Sequence, residues 1–224
     1  MTTAPTYGRQ RDQLNQSLAT QAPAELLNGF ATTAEHLDGV DFANRAPQVG
    51  DLAPDFALPD QNGKEVYLSA LLRNGPVVLI FYRGEWCPYC NLQLRTFQGH
   101  LDELSARGAQ LVAVSPQTPD HSLSMAERNE LGFRVLSDVG AGVIDRYGLR
   151  YEVSSEMRSL LQTAGNDLGA YNGEAGWVLP APATFVVATD GEVRYAHVRG
   201  DWTERAEPTD VLAVLAKIAS VSAP

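Results

Sequence analysis

The sequence predicts an α/β fold, a three-layer sandwich preceded by a helical extension. Three observations carry that expectation. Residues 76–82 read PVVLIFY, a continuous apolar run of the kind that forms a strand buried on both faces. From Gly50 onward, short strand-like segments alternate with segments of helical periodicity, the order of a sheet covered by helices on both sides. The chain then ends on a strand pair and one more helix.

Taken in order, residues 1–45 form the extension and residues 46–224 the domain. A first helix is expected over Arg9–Ala19. A second begins at Pro23, a residue suited to a first helical turn, and Gly39 supplies its stop. Between them Leu26, Leu27, Phe30, Ala34 and Leu37 recur at helical spacing. An apolar helix face must cover something, and its own domain is the plainer choice over a second copy in a homodimer. Two short strands, Phe56–Leu58 and Glu65–Leu68, flank the turn Gln61-Asn62-Gly63. After the buried strand, Cys90, Leu94, Phe97, Leu101 and Leu104 step by four, three, four and three, which predicts one helix ending at Gly108. Strands over Gln110–Ser115 and Phe133–Leu136 alternate with helices around His121–Leu131 and Ala141–Tyr147. A polar, Gly-rich stretch occupies residues 150–178, too long for a bare loop in a small domain; it is partly structured or functional. Ala183–Ala188 and Glu192–Val198 form a hairpin at Asp190-Gly191, and Thr209–Ala219 is the last helix.

Composition removes several classes of function. A formal charge of −10 with no cluster of Lys and Arg argues against nucleic acid. The longest apolar run, Val77–Tyr82, is far short of the ~20 residues of a membrane-spanning helix. The first residues lack the basic start and apolar stretch of a secretory signal, so a cytoplasmic protein is expected. The four histidines are scattered with no ligand spacing, and no metal or cofactor is implied.

The only two cysteines stand as Cys87-Pro88-Tyr89-Cys90. A disulfide closing so short a loop adds little to stability, and one pair does not make a structural zinc site, which leaves redox chemistry. The pair follows the most apolar strand and opens the helix that starts there. The carboxyl end of a central strand is where α/β sheets build their sites, and a helix N-terminus favours a thiolate over a thiol. Two inert buried cysteines are the bland reading, and inert cysteines seldom fall together at such a place. In this geometry Cys87 is expected at the helix start and the more exposed, with Cys90 one turn inside. Glu85 beside the pair is a candidate proton acceptor, though a plain surface carboxylate is the simpler role. Tyr82, Trp86 and Trp177 are candidates for a substrate groove or for core packing.

These residues resemble known ones. Trp86-Cys87-Pro88-Tyr89-Cys90 is similar to the WCxxC of thioredoxins, and CPYC is the form found in glutaredoxins. Pro182, just before Ala183-Thr184-Phe185, resembles the cis-proline of that superfamily, which would present the Ala181 backbone to a docked partner. The wider frame resembles peroxiredoxins of the alkyl hydroperoxide reductase C and thiol-specific antioxidant family over about residues 48–218. The matching pieces are GDLAPDF at 50–56, PVVLIFYRGEWCPYC at 76–90, Ser115-Pro116, Val135-Leu136-Ser137-Asp138, Tyr147-Gly148-Leu149 and ATFVVATDGEVRYA at 183–196. The resemblance implies a thioredoxin-like fold and a peroxidase in which Cys90 holds the peroxidatic position. Three departures stand out. Arg83 replaces the family's proline, and Cys87 replaces a Thr or Ser that helps bind peroxide. The family's arginine before the TF strand has no counterpart near Pro182; Arg83 is a candidate guanidinium from another direction, with an ordinary solvated arginine as the equal alternative.

Two mechanisms follow. As a peroxidase, Cys90 attacks a hydroperoxide, Cys87 condenses with the resulting sulfenic acid, and a thioredoxin- or glutaredoxin-type dithiol resets the disulfide. As a disulfide oxidoreductase, Cys87 attacks and Cys90 resolves. The longer resemblance of the frame places the peroxidase first. A non-enzymatic redox sensor is the third class, supported by the N-terminal helix alone. Substrate contacts are expected from Pro182, Ala181, Arg83 and Trp86.

Overall fold

A computed structural model describes residues 6–221. The extension forms α1 (Tyr7–Gln21), α2 (Ala24–Asp38) and one short turn, α3 (Phe42–Arg45). β1 (Ala57–Pro59) and β2 (Glu65–Tyr67) pair as a small hairpin and lead into α4 (Leu68–Leu72). Then come β3 (Val77–Phe81), α5 (Pro88–Gln98), α6 (Leu101–Ser105), β4 (Gln110–Ser115), α7 (Pro119–Arg128), β5 (Arg134–Ser137) and α8 (Gly142–Arg146). A second hairpin pairs β6 (Arg150–Glu152) with β7 (Val178–Pro180), and between them lie α9 (Ser155–Thr163) and α10 (Leu168–Asn172). The chain ends on β8 (Ala183–Val187), β9 (Val193–Val198) and α11 (Pro208–Val221).

The central sheet runs β5-β4-β3-β8-β9. β3, β4 and β5 are parallel, while β8 and β9 are antiparallel to their neighbours. β3 sits in the middle with all five residues buried, as its unbroken apolar run predicts. Because side chains alternate along a strand, Val77, Leu79 and Phe81 join one core with residues of α4, α8 and α9. Val78 and Ile80 join the other, with residues of α5, α7 and α11. This is the three-layer arrangement.

Two elements differ from expectation. The helix expected to run to Gly108 is broken at Gly99 and His100, where His100 leaves helical geometry (φ −110°, ψ 9°). Glycine is among the weakest helix formers, and the His100 ring turns to Glu103 at 2.9 Å. Leu104 is still fully buried, so the apolar period survives the break. The 150–178 stretch is structured, with Ser154 capping α9 through the Met157 amide and Met157 and Leu161 reaching the core.

α2 buries Ala34 and Leu37 fully but leaves Leu26, Leu27 and Phe30 half-buried. Those three line a cavity inside this chain rather than a bare outer face. The N-terminal helix is longer than expected, reaching back to Tyr7, which is buried.

Candidate active site

The loop after β3 delivers both cysteines. Cys87 is the N-cap of α5, Pro88 fills the first helical position, and Cys90 lies one turn in. Proline is at home there because its missing N–H would have had no helical partner. Gly84 lets the Trp86 ring lie on the loop: a Cβ there would stand 2.3 Å from Trp86 Nε1. The loop is fixed from behind by Asn91, whose side-chain amide donates to the Glu85 carbonyl at 2.7 Å and the Cys87 carbonyl at 2.9 Å. Asn129 in turn donates to Asn91 Oδ1 at 2.8 Å, and the Glu85 amide donates to Gln117 Oε1 at 2.8 Å. None of Asn91, Gln117 and Asn129 belongs to a motif; a polar residue directly after the CxxC is the single available signal.

Both sulfurs are buried, Cys87 as well as Cys90, so the exposure expected for Cys87 is not found. Cys87 instead forms part of the floor of a cavity of about 590 Å³. Arg83 and Trp86 share that floor, and Leu26, Leu27 and Phe30 form a wall. Tyr82 is in the core, and Trp177 stacks under the Arg158 guanidinium at 4.5 Å.

Cys90 Sγ has two donors at hand. The Arg83 backbone N–H lies 3.4 Å away and the Arg205 guanidinium Nη2 3.6 Å away. Burial pushes the Cys90 thiol up, but the Cys87 thiol as hydrogen-bond donor, the Arg205 and Arg83 charges and the Arg83 amide together hold it well below the ordinary cysteine value. Cys87 moves the other way, raised by burial and by its thiolate neighbour. In a low-dielectric pocket one negative charge is tolerated and a second is not.

Arg83, the candidate guanidinium, gives Cys90 its amide. Its side chain is sandwiched between Trp86 at 4.9 Å and Trp202 at 4.4 Å, a cation–π pair that keeps the charge nearby. The close guanidinium comes from Arg205, buried in the segment between β9 and α11. No sequence signal marked it.

The cis geometry expected at Ala181–Pro182 is corrected: among the described residues no peptide bond is cis. The backbone there is already engaged. The Ala181 N–H donates to the Leu149 carbonyl at 2.8 Å, and the Pro182 carbonyl accepts from Arg199 at 3.3 Å. Both residues are buried, and neither lines the cavity. Glu85 is not a surface carboxylate; it is buried and paired with His121 at 2.6 Å and Arg128 at 3.4 Å. No helix among the described residues is long and apolar enough to cross a membrane.

Comparison with known proteins places the family and the fold. Residues 49–196 match the AhpC/TSA family. The chain is 33% identical over 107 residues to peroxiredoxin Bcp of Escherichia coli strain K12, spanning 48% of this chain and 68% of that one. It is 30% identical over 116 residues to a putative peroxiredoxin of Mycobacterium tuberculosis, spanning 52% and 75%. The crystal structure of peroxidoxin BcpB from Mycobacterium tuberculosis superposes with a TM-score of 0.60 at 27% identity, covering 77% of this chain and 98% of that chain. By sequence and by fold, the chain belongs to the AhpC/TSA family and is a peroxiredoxin-like member of the thioredoxin superfamily.

Proposed function

We propose that the chain is a thiol-dependent peroxidase in which Cys90 attacks a hydroperoxide and Cys87 resolves the product. The observation that carries this reading is the setting of Cys90 Sγ, with an amide at 3.4 Å and a guanidinium at 3.6 Å. Such donors keep the sulfur ionised, and the thiolate is the nucleophile. Its attack on the outer oxygen of ROOH forms an S–O bond while the O–O bond breaks. Negative charge then grows on the leaving oxygen, beside the Arg205 guanidinium. The alkoxide takes a proton and leaves as ROH, and Cys90 is left as a sulfenic acid. The Cys87 thiol attacks that sulfur, water leaves, and a Cys87–Cys90 disulfide results. A dithiol of the thioredoxin or glutaredoxin type then takes over the disulfide and returns both thiols.

The cavity supports entry of the peroxide from the α2 side, past Trp86 and Cys87. It also favours a second reading, because Cys87 rather than Cys90 lines it. A protein-disulfide oxidoreductase would use that outer sulfur as its nucleophile.

Two variants separate the readings. In a peroxidase, Cys87→Ser still reacts once with micromolar hydrogen peroxide, and mass spectrometry finds a dimedone adduct on Cys90; Cys90→Ser loses the reaction by orders of magnitude. In an oxidoreductase the pattern reverses, with Cys90→Ser trapping mixed disulfides on Cys87. Absence of the Cys90 adduct together with such trapped partners overturns the peroxidase reading.

A further inference from the structure

Arg205 lies outside the stretch matched to the family, and so does α1. The two are joined. The Tyr7 hydroxyl donates to the Thr203 carbonyl at 2.8 Å. The Tyr7 and Gly8 amides, free at the start of α1, each donate to one oxygen of the Glu207 carboxylate at 2.8 Å. Arg11, one turn on, pairs with Glu204. The segment carrying Arg205 is thus held two residues before it, immediately before it and two residues after it, by one face of one helix.

The same helix is fastened to α5. The Tyr89 hydroxyl donates to Asn15 Oδ1 at 2.7 Å, and Gln10 Nε2 donates to Thr96 Oγ1 at 3.0 Å. α5 carries Cys90. α1 therefore bridges the two pieces of chain that meet at the sulfur, 115 residues apart in sequence. Arg205 has little else to hold it: Nη1 donates to the Glu204 carbonyl at 3.0 Å, and the buried Nε has no partner among the described residues. With no carboxylate paired to it among the described residues, the guanidinium depends on the position of its backbone.

We propose that α1 is a positioning element of the active site, with Tyr7 and Glu207 as the positioning residues that hold Arg205 against Cys90. Glu207 serves twice. It accepts from the unpaired amides of the α1 N-terminus, where a carboxylate is favoured by the helix dipole, and it anchors the turn that Arg205 occupies. Tyr7 fixes the other side of the turn. This inference rests on Cys90 being the reactive thiolate of the proposed peroxidase.

The test reads the ionisation of Cys90 without any peroxide. In a Cys87→Ser background Cys90 is the single thiol, and thiolate absorbance at 240 nm is followed against pH. Besides Cys87, the titratable and charged groups facing Cys90 are Arg83 on the preceding loop, Arg205 between β9 and α11, Tyr7 on α1, Tyr82 after β3 and Tyr151 on β6. All are kept except the one changed. Arg205→Gln sets the largest upward shift of the midpoint. Glu207→Ala is expected to raise it by about one unit, roughly a tenfold loss of thiolate below the midpoint, and Tyr7→Phe by about half as much. Glu207→Gln keeps one acceptor and falls between wild type and Glu207→Ala. Tyr7→Phe removes one hydroxyl and leaves the ring, so it folds and keeps the test decisive if Glu207→Ala does not. Thermal unfolding is measured alongside. A lower melting temperature with an unmoved midpoint in both Tyr7→Phe and Glu207→Gln overturns the proposal, as does an unmoved midpoint in Arg205→Gln. Failure of the unaltered protein to react with hydrogen peroxide would instead sink the peroxidase reading and leave the titration standing.

Discussion

Arg205 and Cys90 are both removed from water, and a charge pair in that setting acts far more strongly than at a surface. The guanidinium reaches further than the sulfur. His197 on β9 is lowered to about 4, first by burial and then by Arg199 and Arg205. In the folded chain this ring stays neutral down to about pH 4, whereas unfolded it protonates near 6.5. The unfolded state gains its proton first. Stability from this site is therefore whole above pH 6.5 and is lost as the pH falls from 6.5 toward 4. Urea unfolding of the wild type should weaken over that window, and His197→Gln should weaken less; parallel curves for the two proteins would contradict the assignment. At this scale the sequence was informative where chemistry and spacing coincide. Two cysteines three residues apart declare themselves. Arg205 is one of 17 basic residues, with nothing local to distinguish it, and only the fold brings it to the sulfur. Glu85 misled for the same reason: its neighbours in sequence are loop residues, but its partners in space are His121 and Arg128 on α7.

Elements were legible where an unbroken apolar run or a one-sided apolar period is long enough to stand out. β3 and β4 follow their apolar runs and α2 its helical period. The three-residue strands β6 and β7 and the five-residue α10 are too short to repeat their periods of 2 and 3.6, so the stretch containing them reads as polar and irregular. The trans geometry before Pro182 was likewise out of reach, because an X-Pro dipeptide does not by itself declare its isomer. Contacts between elements set a sharper limit, and Gly200 shows it. The end of α2 packs so closely on the segment after β9 that a Cβ at Gly200 would lie 1.9 Å from the Leu37 carbonyl oxygen. A main-chain carbonyl cannot turn aside as a flexible side chain can. Gly200→Ala should push α2 and this segment apart and cost about 1–3 kcal/mol, the range of an overpacked core site. Urea denaturation measures it; an unchanged midpoint would mean the two segments are not in the contact described. Because the displaced segment leads to Arg205, the same variant should also slow the reaction of Cys90 with peroxide.

The molecule as a whole adds flanks to a family domain, and the flanks build the approach to the sulfurs. The family match ends at residues 49 and 196, yet Leu26, Leu27 and Phe30 come from before it and Trp202 from after it, and all four line the cavity that ends on Cys87. A cavity of about 590 Å³ is much larger than hydrogen peroxide needs, and its α2 wall carries the hydrocarbon of Leu26, Leu27, Phe30, Ala31 and Ala34 as well as Glu35 and Asp38. In the peroxidase reading, that wall should reward a substrate with an apolar tail. Burying roughly 100 Å² of hydrocarbon contributes about 2.5 kcal/mol. Transition-state contacts of that size raise kcat/KM for the larger substrate by up to about 70-fold over one that cannot make them. Leu27 is half-buried on the wall, and a larger ring there takes up the space the tail would use. Leu27→Trp should therefore lower the ratio of kcat/KM for cumene hydroperoxide to that for hydrogen peroxide by about tenfold. Comparing the two substrates within each protein cancels any change shared by both reactions, such as a shift in Cys90 itself. If the ratio is the same in the variant and the wild type, the cavity is not where the tail lies, and selectivity has to come from the immediate surroundings of Cys90.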